Sequence, residues 1–255
     1  MIRLLVCAPL GAAVYVFAIV PTQAGIATTL NVEVNKPGVA IPATFYGLMT
    51  EEINHSYDGG LFAELIQNRT FQDPAPRGWP ASPQNLPIHW SLVGDGATSL
   101  ERDDPVNSAL PVSLRLALSG KAAGVANDGF WGIPIRPDTT YTASFYAKGG
   151  AGFTGSVTAS LVLEEGNLTV AKANTKAVTG SWLKHTVTLT TAHDAPTTAK
   201  AKFVLSATGT GSITISLVSL FPPTYQNTPG GLRPDLMRLL ADLHPAFIRL
   251  GSRIK

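Results

Sequence analysis

The sequence predicts a β-rich α/β chain: a jelly-roll-like β-sandwich inserted into the first βα units of an incomplete (β/α)8 barrel. Three observations predict it. Residues 45–71 read as strand, acidic tip, polar loop and helix, which is one βα unit. From about Ile88 to Pro222 the chain reads as short alternating strands with turn signals every ~8 to 12 residues, the cue for a sandwich. From Thr224 a helix and then a buried strand return, so the all-β stretch interrupts an α/β domain.

Taken in order, Met1 to Ala24 reads as a secretory signal. Arg3 supplies the positive charge, Leu4 to Val20 is apolar, and Pro21-Thr22-Gln23-Ala24 suits cleavage after Ala24. An uncleaved anchor is the competing reading. Pro9 and Gly11 interrupt the apolar run and no basic stop follows, which favours cleavage. Cys7, the single cysteine of the 255 residues, lies in this segment. Without it there is no disulfide framework, Cys-zinc site or Cys nucleophile. Next, Leu30, Val32 and Val34 alternate with polar residues, the pattern of a half-buried strand.

Phe45, Tyr46, Leu48 and Met49 form a short apolar run suited to a strand buried on both faces. Glu51 and Glu52 stand at its tip, Asn54 to Gly60 forms a turn, and Leu61 to about Asn68 has helical spacing. In a barrel, ligand groups sit at the C-terminal ends of strands, which makes the tip acids the first candidates. They cannot be a catalytic pair, because neighbours on a strand point to opposite faces. Glu64, on the expected helix, reads as exposed or capping, and Asp103-Asp104 as a solvated turn.

Gln72 to Leu86 holds four prolines and a glycine and reads as a linker. Expected strands follow at 112–118, 141–147, 157–163 and 182–189, the last with Val187 and Leu189 inward. Phe203, Leu205, Ile213, Ile215 and Leu217 complete the set. Aromatic faces stack on sugar rings, which makes Trp90, Phe130, Trp131 and Trp182 candidate contacts if exposed. A sandwich core is where such side chains usually go, so each is read as core ahead of ligand contact. In the final stretch Pro234 and Asp235 suit a helix start. Leu232, Leu236, Leu239, Leu240 and Leu243 share one face, Pro245 ends the helix, and Ala246 to Leu250 reads as a strand.

Net charge is +2 without any basic stripe, which argues against a nucleic-acid partner. Once the signal is cleaved, no membrane association is expected. His55, His185, His193 and His244 stand singly and no His/Cys/carboxylate cluster has metal spacing, so neither metal nor organic cofactor is expected. Of the sequons at Asn54, Asn68 and Asn167, the one at Asn167 is the expected glycosylation site, because the other two lie beside the candidate acids.

The stretch from Tyr46 to Ser56, followed by Gly59 to Arg69, resembles the N-terminal signature of glycoside hydrolase family 51 α-L-arabinofuranosidases. That resemblance implies that Glu51 holds hydroxyls of a bound arabinofuranose; Glu52 stands where Asp is usual. Asp128 to Gly132, with Trp131, and Ser181 to Val187, with Trp182, resemble the carbohydrate-binding-module-like domain inserted in that family. The implied activity is secreted, extracellular, retaining hydrolysis of terminal α-L-arabinofuranosyl groups, on arabinose-containing polysaccharides or oligosaccharides. Such chemistry needs two carboxyl groups about 5 Å apart. The family's two catalytic glutamates lie on later strands without counterpart here, so no catalytic residue is assigned. The expected organisation is a leader at 1–24, a strand orphaned from a C-terminal sandwich at 25–44 and the first βα unit at 45–72. The inserted sandwich at 73–223 and a second helix and strand at 224–255 complete it. The chain reads as the N-terminal third of the enzyme; a non-catalytic carbohydrate-binding protein is the alternative.

Overall fold

The computed structural model describes residues 29–36, 38–75, 77 and 86–251, and the chain divides into two units, Met1–Pro42 and Ala43–Lys255. The expected signal at 1–24 and residues 78–85 of the expected linker lie outside the described residues. In the first unit, 29–33 forms no strand, and Leu30 and Val34 are 85% and 90% exposed. The expected half-buried strand is therefore corrected: alternation creates an apolar face, and nothing among the described residues of this unit covers it.

Among its described residues, the second unit contains a seven-stranded sheet and a separate two-stranded sheet of the first and last strands. The strands ahead of the helix are β1 (Leu48–Thr50), β2 (Trp90–Glu101), β3 (Ser113–Asn127), β4 (Thr140–Gly149), β5 (Ser156–Leu163), β6 (Thr169–Ala177), β7 (Leu183–Thr190) and β8 (Ala201–Phe221). Helix α1 (Pro234–Asp242) and strand β9 (Ile248–Leu250) follow. β8 is the hub. It pairs antiparallel with β3 along both of its halves, with β5 through 201–206 and with β4 through 213–221. β2 extends the β3 edge, β6 joins β5, and β7 joins β4.

Three strands bend along one line. Register shifts fall between Gly94 and Gly96 of β2 and between Ser119 and Ala122 of β3, opposite Thr208 and Thr210 of β8. Bulges of this kind bend a strand and increase its twist. Gly94 has φ +75°, and a Cβ there would collide with the carbonyl oxygen of Ala122. The bend turns one long sheet into two layers, with β5 and β6 flanking one half of β8 and β4 and β7 the other. The core lies between them: Leu161, Phe203 and Leu205 from one half pack in a single cluster with Leu114, Phe145 and Ile213 from the other. Each such side chain contributes about 1.5–3 kcal/mol through burial.

The structure bears out strands at 112–118, 141–147, 157–163 and 182–189, each within a residue or so or as part of a longer strand. β8 corrects one detail. Leu217 does not continue the inward alternation of Ile213 and Ile215; it has φ +47°, and the β4–β8 register shifts opposite it. Parity flips there, so that Val218 and Leu220 become the buried residues.

The expected helix from Leu61 to Asn68 does not form. Tyr57–Leu61 makes a tight turn, and the chain then runs extended. Phe62 bridges Leu232, the Ala63 amide donates to the Gly231 carbonyl (3.1 Å), and the Leu65 amide donates to the Leu220 carbonyl (3.0 Å). Backbone pairing with β8 and the 231–232 turn overrides local helical propensity. Leu232 is thereby outside α1, which begins at Pro234.

β1 and β9 pair in parallel, Leu48 opposite Ile248 and Thr50 opposite Leu250. The strand at 45–49, expected to be buried on both faces, is not: Phe45 and Met49 are exposed, as are Leu239, Leu243, Phe247 and Ile248.

Two stability measurements check this description. Gly94→Ala will destabilise by about 2 kcal/mol or more in urea unfolding, because strain at positive φ adds to a backbone collision. Gly166→Ala, at φ +69° with nothing within 4 Å of its added methyl, will cost only about 1 kcal/mol. The second concerns His185, buried on the inner face of β7 beside Val187 and Leu189, with its ring 5.8 Å from that of Phe145. Burial lowers its pKa below the ordinary 6.5. The unfolded chain therefore takes up the proton first. Stability is full above pH 6.5 and falls with acidification towards the lowered folded value, with a slope of at most about 1.4 kcal/mol per pH unit. In thermal melts from pH 7.5 to 4.5, His185→Leu will remove that component.

Candidate functional site

The tip acids of β1 lie just past the strand, exposed, in a tightly tied loop. The Ser56 hydroxyl donates to the Glu51 carbonyl, and the Tyr57 amide donates to Glu52 Oε2 at 2.7 Å. Glu52 thus anchors the turn that follows. The Glu51 side chain lies across β9: Gly251, whose amide donates to the Thr50 carbonyl at 2.9 Å, has room for no Cβ because Glu51 Cγ would be 2.7 Å away. Glu51 and Glu52 therefore have different surroundings.

Glu64 corrects the expectation of an exposed acid, since it is only 3% exposed. Its Oε1 accepts from the amides of Leu220 (2.8 Å) and Ile66 (3.0 Å), and Arg69 Nε lies 3.1 Å from Oε2. Burial raises its pKa, while Arg69 and the two amides oppose that rise. Arg69 also donates to the Val218 carbonyl (3.2 Å) and to the Ser219 hydroxyl. Nearby, Asn68 Nδ2 donates to the Ile88 carbonyl, and Asn127 Nδ2 bridges the carbonyls of Gln67 and His89. Asn68 is buried, which sets its sequon apart from Asn167, exposed in the turn between β5 and β6. The segment 63–69 is thus clipped along the end of β8, and the β1 loop is carried against the sandwich.

At that junction the aromatics divide. Trp90 is core, packed on Phe71 with ring centroids 5.0 Å apart, and its Nε1 donates to the Asn68 carbonyl. Trp131 is not core: it is 72% exposed. Its ring meets His55 edge-on at 6.0 Å, and Phe130 meets the same imidazole at 5.4 Å. The turn at Gly129 and Gly132, both at positive φ, pushes these two side chains outward. Trp182 is half-buried. Its Nε1 donates to the Asp104 carbonyl at 3.0 Å, and Lys148 Nζ sits 4.9 Å above its ring while pairing with the Asp104 carboxylate. Asp104 lies in an exposed bend, as expected, and makes that ion pair from solvent; Trp182 has one face covered by the lysine.

Two hollows flank the 63–69 clip. A cavity of about 300 Å³ is lined by Glu52, His55, Asp58, Asn68 and Arg69 among others, and one of about 430 Å³ includes Phe62, Phe130, Trp131, Arg136 and Arg238. Glu51 lines neither of them. A third, of about 670 Å³, lies on the outer face of the β2, β3, β8 and β5 layer; Asn167 is at its edge, and its wall carries no aromatic side chain. No group of three or more His, Cys, Asp or Glu suited to a metal ion occurs among the described residues. Arg136 and Arg238 were not singled out by the sequence, because a cleft residue on a loop or helix carries no periodic signal.

A protein-family profile described as a carbohydrate binding domain matches residues 63–210. The chain belongs to the carbohydrate-binding domain family. The match begins where the clip docks on β8. The chain is also similar to curated α-L-arabinofuranosidases: 32% identical over 214 residues to "Alpha-L-arabinofuranosidase A" of Aspergillus kawachii, covering 80% of this chain and 32% of that protein. The "Probable alpha-L-arabinofuranosidase A" of Aspergillus terreus is 32% identical over 94% of this chain and 37% of its own length. The "Extracellular exo-alpha-L-arabinofuranosidase" of Streptomyces chartreusis is 33% identical over 87% of this chain and 25% of its own length. A solved structure of an arabinose-bound family 51 α-L-arabinofuranosidase superposes with a TM-score of 0.74 and 33% identity, covering 84% of this chain and 35% of that one. The resemblance to glycoside hydrolase family 51 therefore extends over most of the carbohydrate-binding domain chain, which spans about a third of the length of the Aspergillus relatives.

Removing one member of the Glu64–Arg69 pair strands the other. Glu64→Ala will destabilise by roughly 3 kcal/mol, the low end for a broken buried pair because Arg69 is partly exposed. Urea denaturation of the variant beside Glu64→Gln, which keeps the hydrogen-bond acceptor, checks this; Glu64→Gln will lose less.

Proposed function

We propose that this chain is the N-terminal, substrate-gripping part of a secreted α-L-arabinofuranosidase. The enzyme would act by retaining hydrolysis on terminal arabinofuranosyl groups of arabinose-containing polysaccharides or oligosaccharides. The observation that carries the reading is the similarity to an arabinose-bound family 51 enzyme over 84% of the chain. In this reading β1 and β9 are two neighbouring parallel strands of a (β/α)8 barrel, α1 belongs to its outer ring, and the sandwich is inserted between them. The exposed apolar side chains of Phe45, Met49, Phe247 and Ile248 are then the faces that further barrel strands cover.

Glu51 serves in this proposal as a hydroxyl acceptor at the C-terminal end of the first strand, where barrel ligands sit. Its exposure and its place beside Gly251, at the end of β9, are compatible with a sugar at the rim. Glu52 is committed to the Tyr57 amide and Glu64 to Arg69. Neither is free to be one of two cutting carboxylates, which the proposal assigns outside this chain. Trp131 and Trp182 are the proposed aromatic contacts of the carbohydrate-binding domain, and Asn167 is its proposed glycosylation site. The extracellular location rests on the residue pattern at 1–24 and on the extracellular Streptomyces relative.

Residues 1–255 alone will give no turnover of 4-nitrophenyl α-L-arabinofuranoside. The product of the full-length transcript will release L-arabinose with retained configuration. Within that product Glu51→Gln will lower kcat/KM by about 100-fold, since hydrogen bonds to a charged group are worth roughly 1.5–3 kcal/mol each. A transcript that ends at Lys255, or a longer product without arabinose release, would overturn the reading.

A further inference from the structure

The outer sheet face and the edge of the sandwich differ in what they offer a sugar. The 670 Å³ hollow on the sheet face is walled by side chains such as Ser91, Ala122, Ala126, Ser160 and Ser206, with no ring for a pyranose to stack on. The 430 Å³ cleft at the edge is lined by four aromatic residues, the buried Tyr141 and the rings of Phe62, Phe130 and Trp131, and Trp131 is 72% exposed. Its volume lies within the range of small-ligand sites. Phe62 is held edge-on against Phe221, with centroids 5.4 Å apart, and Phe130 and Trp131 are braced by His55, so the rings are pre-positioned.

The charge of the cleft is the second observation. Two carboxylates line it, and both are occupied: Glu64 by Arg69, and Asp235 by Arg233 in a two-pronged pair at 3.1 and 2.6 Å. Arg136 and Arg238 line the same cleft and have no carboxylate partner among the described residues. A planar guanidinium matches a carboxylate in two-pronged geometry, and an aromatic face matches the apolar face of a sugar ring.

We propose that the cleft between Trp131, Phe130, Arg136 and Arg238 binds an oligosaccharide carrying hexuronate carboxylates. The sugar ring stacks on the aromatic rings and the carboxylate lies between the two free guanidiniums. This rests on the carbohydrate reading of the family, and it names the acidic chemistry of the ligand. It also moves binding from the sheet face to the edge that adjoins the β1 loop. In the full protein an acidic main chain held there would lie beside the turn at Gly59 that follows β1.

Calorimetric titration of the full chain tests this with four probes: tetragalacturonate, its methyl ester, a glucuronic-acid-bearing xylo-oligosaccharide and neutral xylotetraose. At least one acidic probe will bind, and the ester and xylotetraose will bind about tenfold or more weakly, as loss of a charged two-pronged contact requires. Arg136→Gln, Arg238→Gln and Trp131→Ala, all at exposed positions, will each weaken the acidic probe by about tenfold. Circular dichroism of the variants will match the parent. Tighter binding of galacturonate or of the glucuronate-bearing probe identifies a pectic or a xylan source; both support the cleft. Equal binding of acid and ester, unchanged affinity in the Arg136→Gln/Arg238→Gln double variant, or no binding of any probe overturns it. Binding is read here without turnover, so its failure leaves the arabinofuranosidase proposal to its own assay.

Discussion

The carboxylate of Glu64 is the interaction on which the arrangement depends. It is buried, so its charge is tolerated only because Arg69 and the amides of Leu220 and Ile66 surround it. Those partners come from two places: its own segment and the far end of β8. The carboxylate can be satisfied only when residues 63–69 lie along Val218 to Leu220. That requirement draws the chain straight after the Tyr57–Leu61 turn, and it fixes where the loop carrying Glu51, Glu52 and His55 stands against the sandwich. An apolar residue at position 64 alone would strand the Arg69 guanidinium and the amides of Leu220 and Ile66.

β8 makes that anchor possible. A 21-residue strand through both layers supplies partners to β3, β4 and β5 at once, and its last residues remain free to receive the clip. The bend at Gly94 and the parity flip at Leu217 serve the same end. The first lets one set of strands close a core on itself; the second turns Val218 and Leu220 inward while their backbone groups bond the 64–69 segment.

The sandwich was legible in the sequence where strands are covered on one face, as with Leu114, Leu116 and Leu118 or Val187 and Leu189. It was obscure at β2 and β6, whose burial does not alternate regularly and which carry exposed residues such as Val93 and Lys172. The helix expected at 61–68 misled for a physical reason: Leu61, Leu65 and Asn68 do fall at helical spacing, and only pairing with residues distant in sequence makes the extended form better. Trp131 shows the same limit. Nothing local distinguishes a core tryptophan from one pushed outward by a turn at Gly129 and Gly132. Glu51 was legible as a strand-tip acid from local pattern alone, because a strand end is a local feature.

These limits share one origin. Local sequence carries periodicity and turn chemistry, whereas the candidate cleft is made by bringing separate stretches together, among them Phe62 just before the clip, Phe130 to Arg136 from the loop after β3, Tyr141 from β4, Pro222 and Pro223 after β8, and Arg233 to Arg238 from the start of α1. Each stretch has a structural duty of its own. Phe62 bridges Leu232, Tyr141 hydrogen-bonds the Pro134 carbonyl at 2.7 Å, and Arg233 pairs with Asp235. The Arg136 and Arg238 side chains take part in none of the ion pairs described, Trp131 has only its edge contact with His55, and the three converge on one hollow. Side chains that the fold does not consume, gathered by elements that it does, are where a ligand finds groups to recognise.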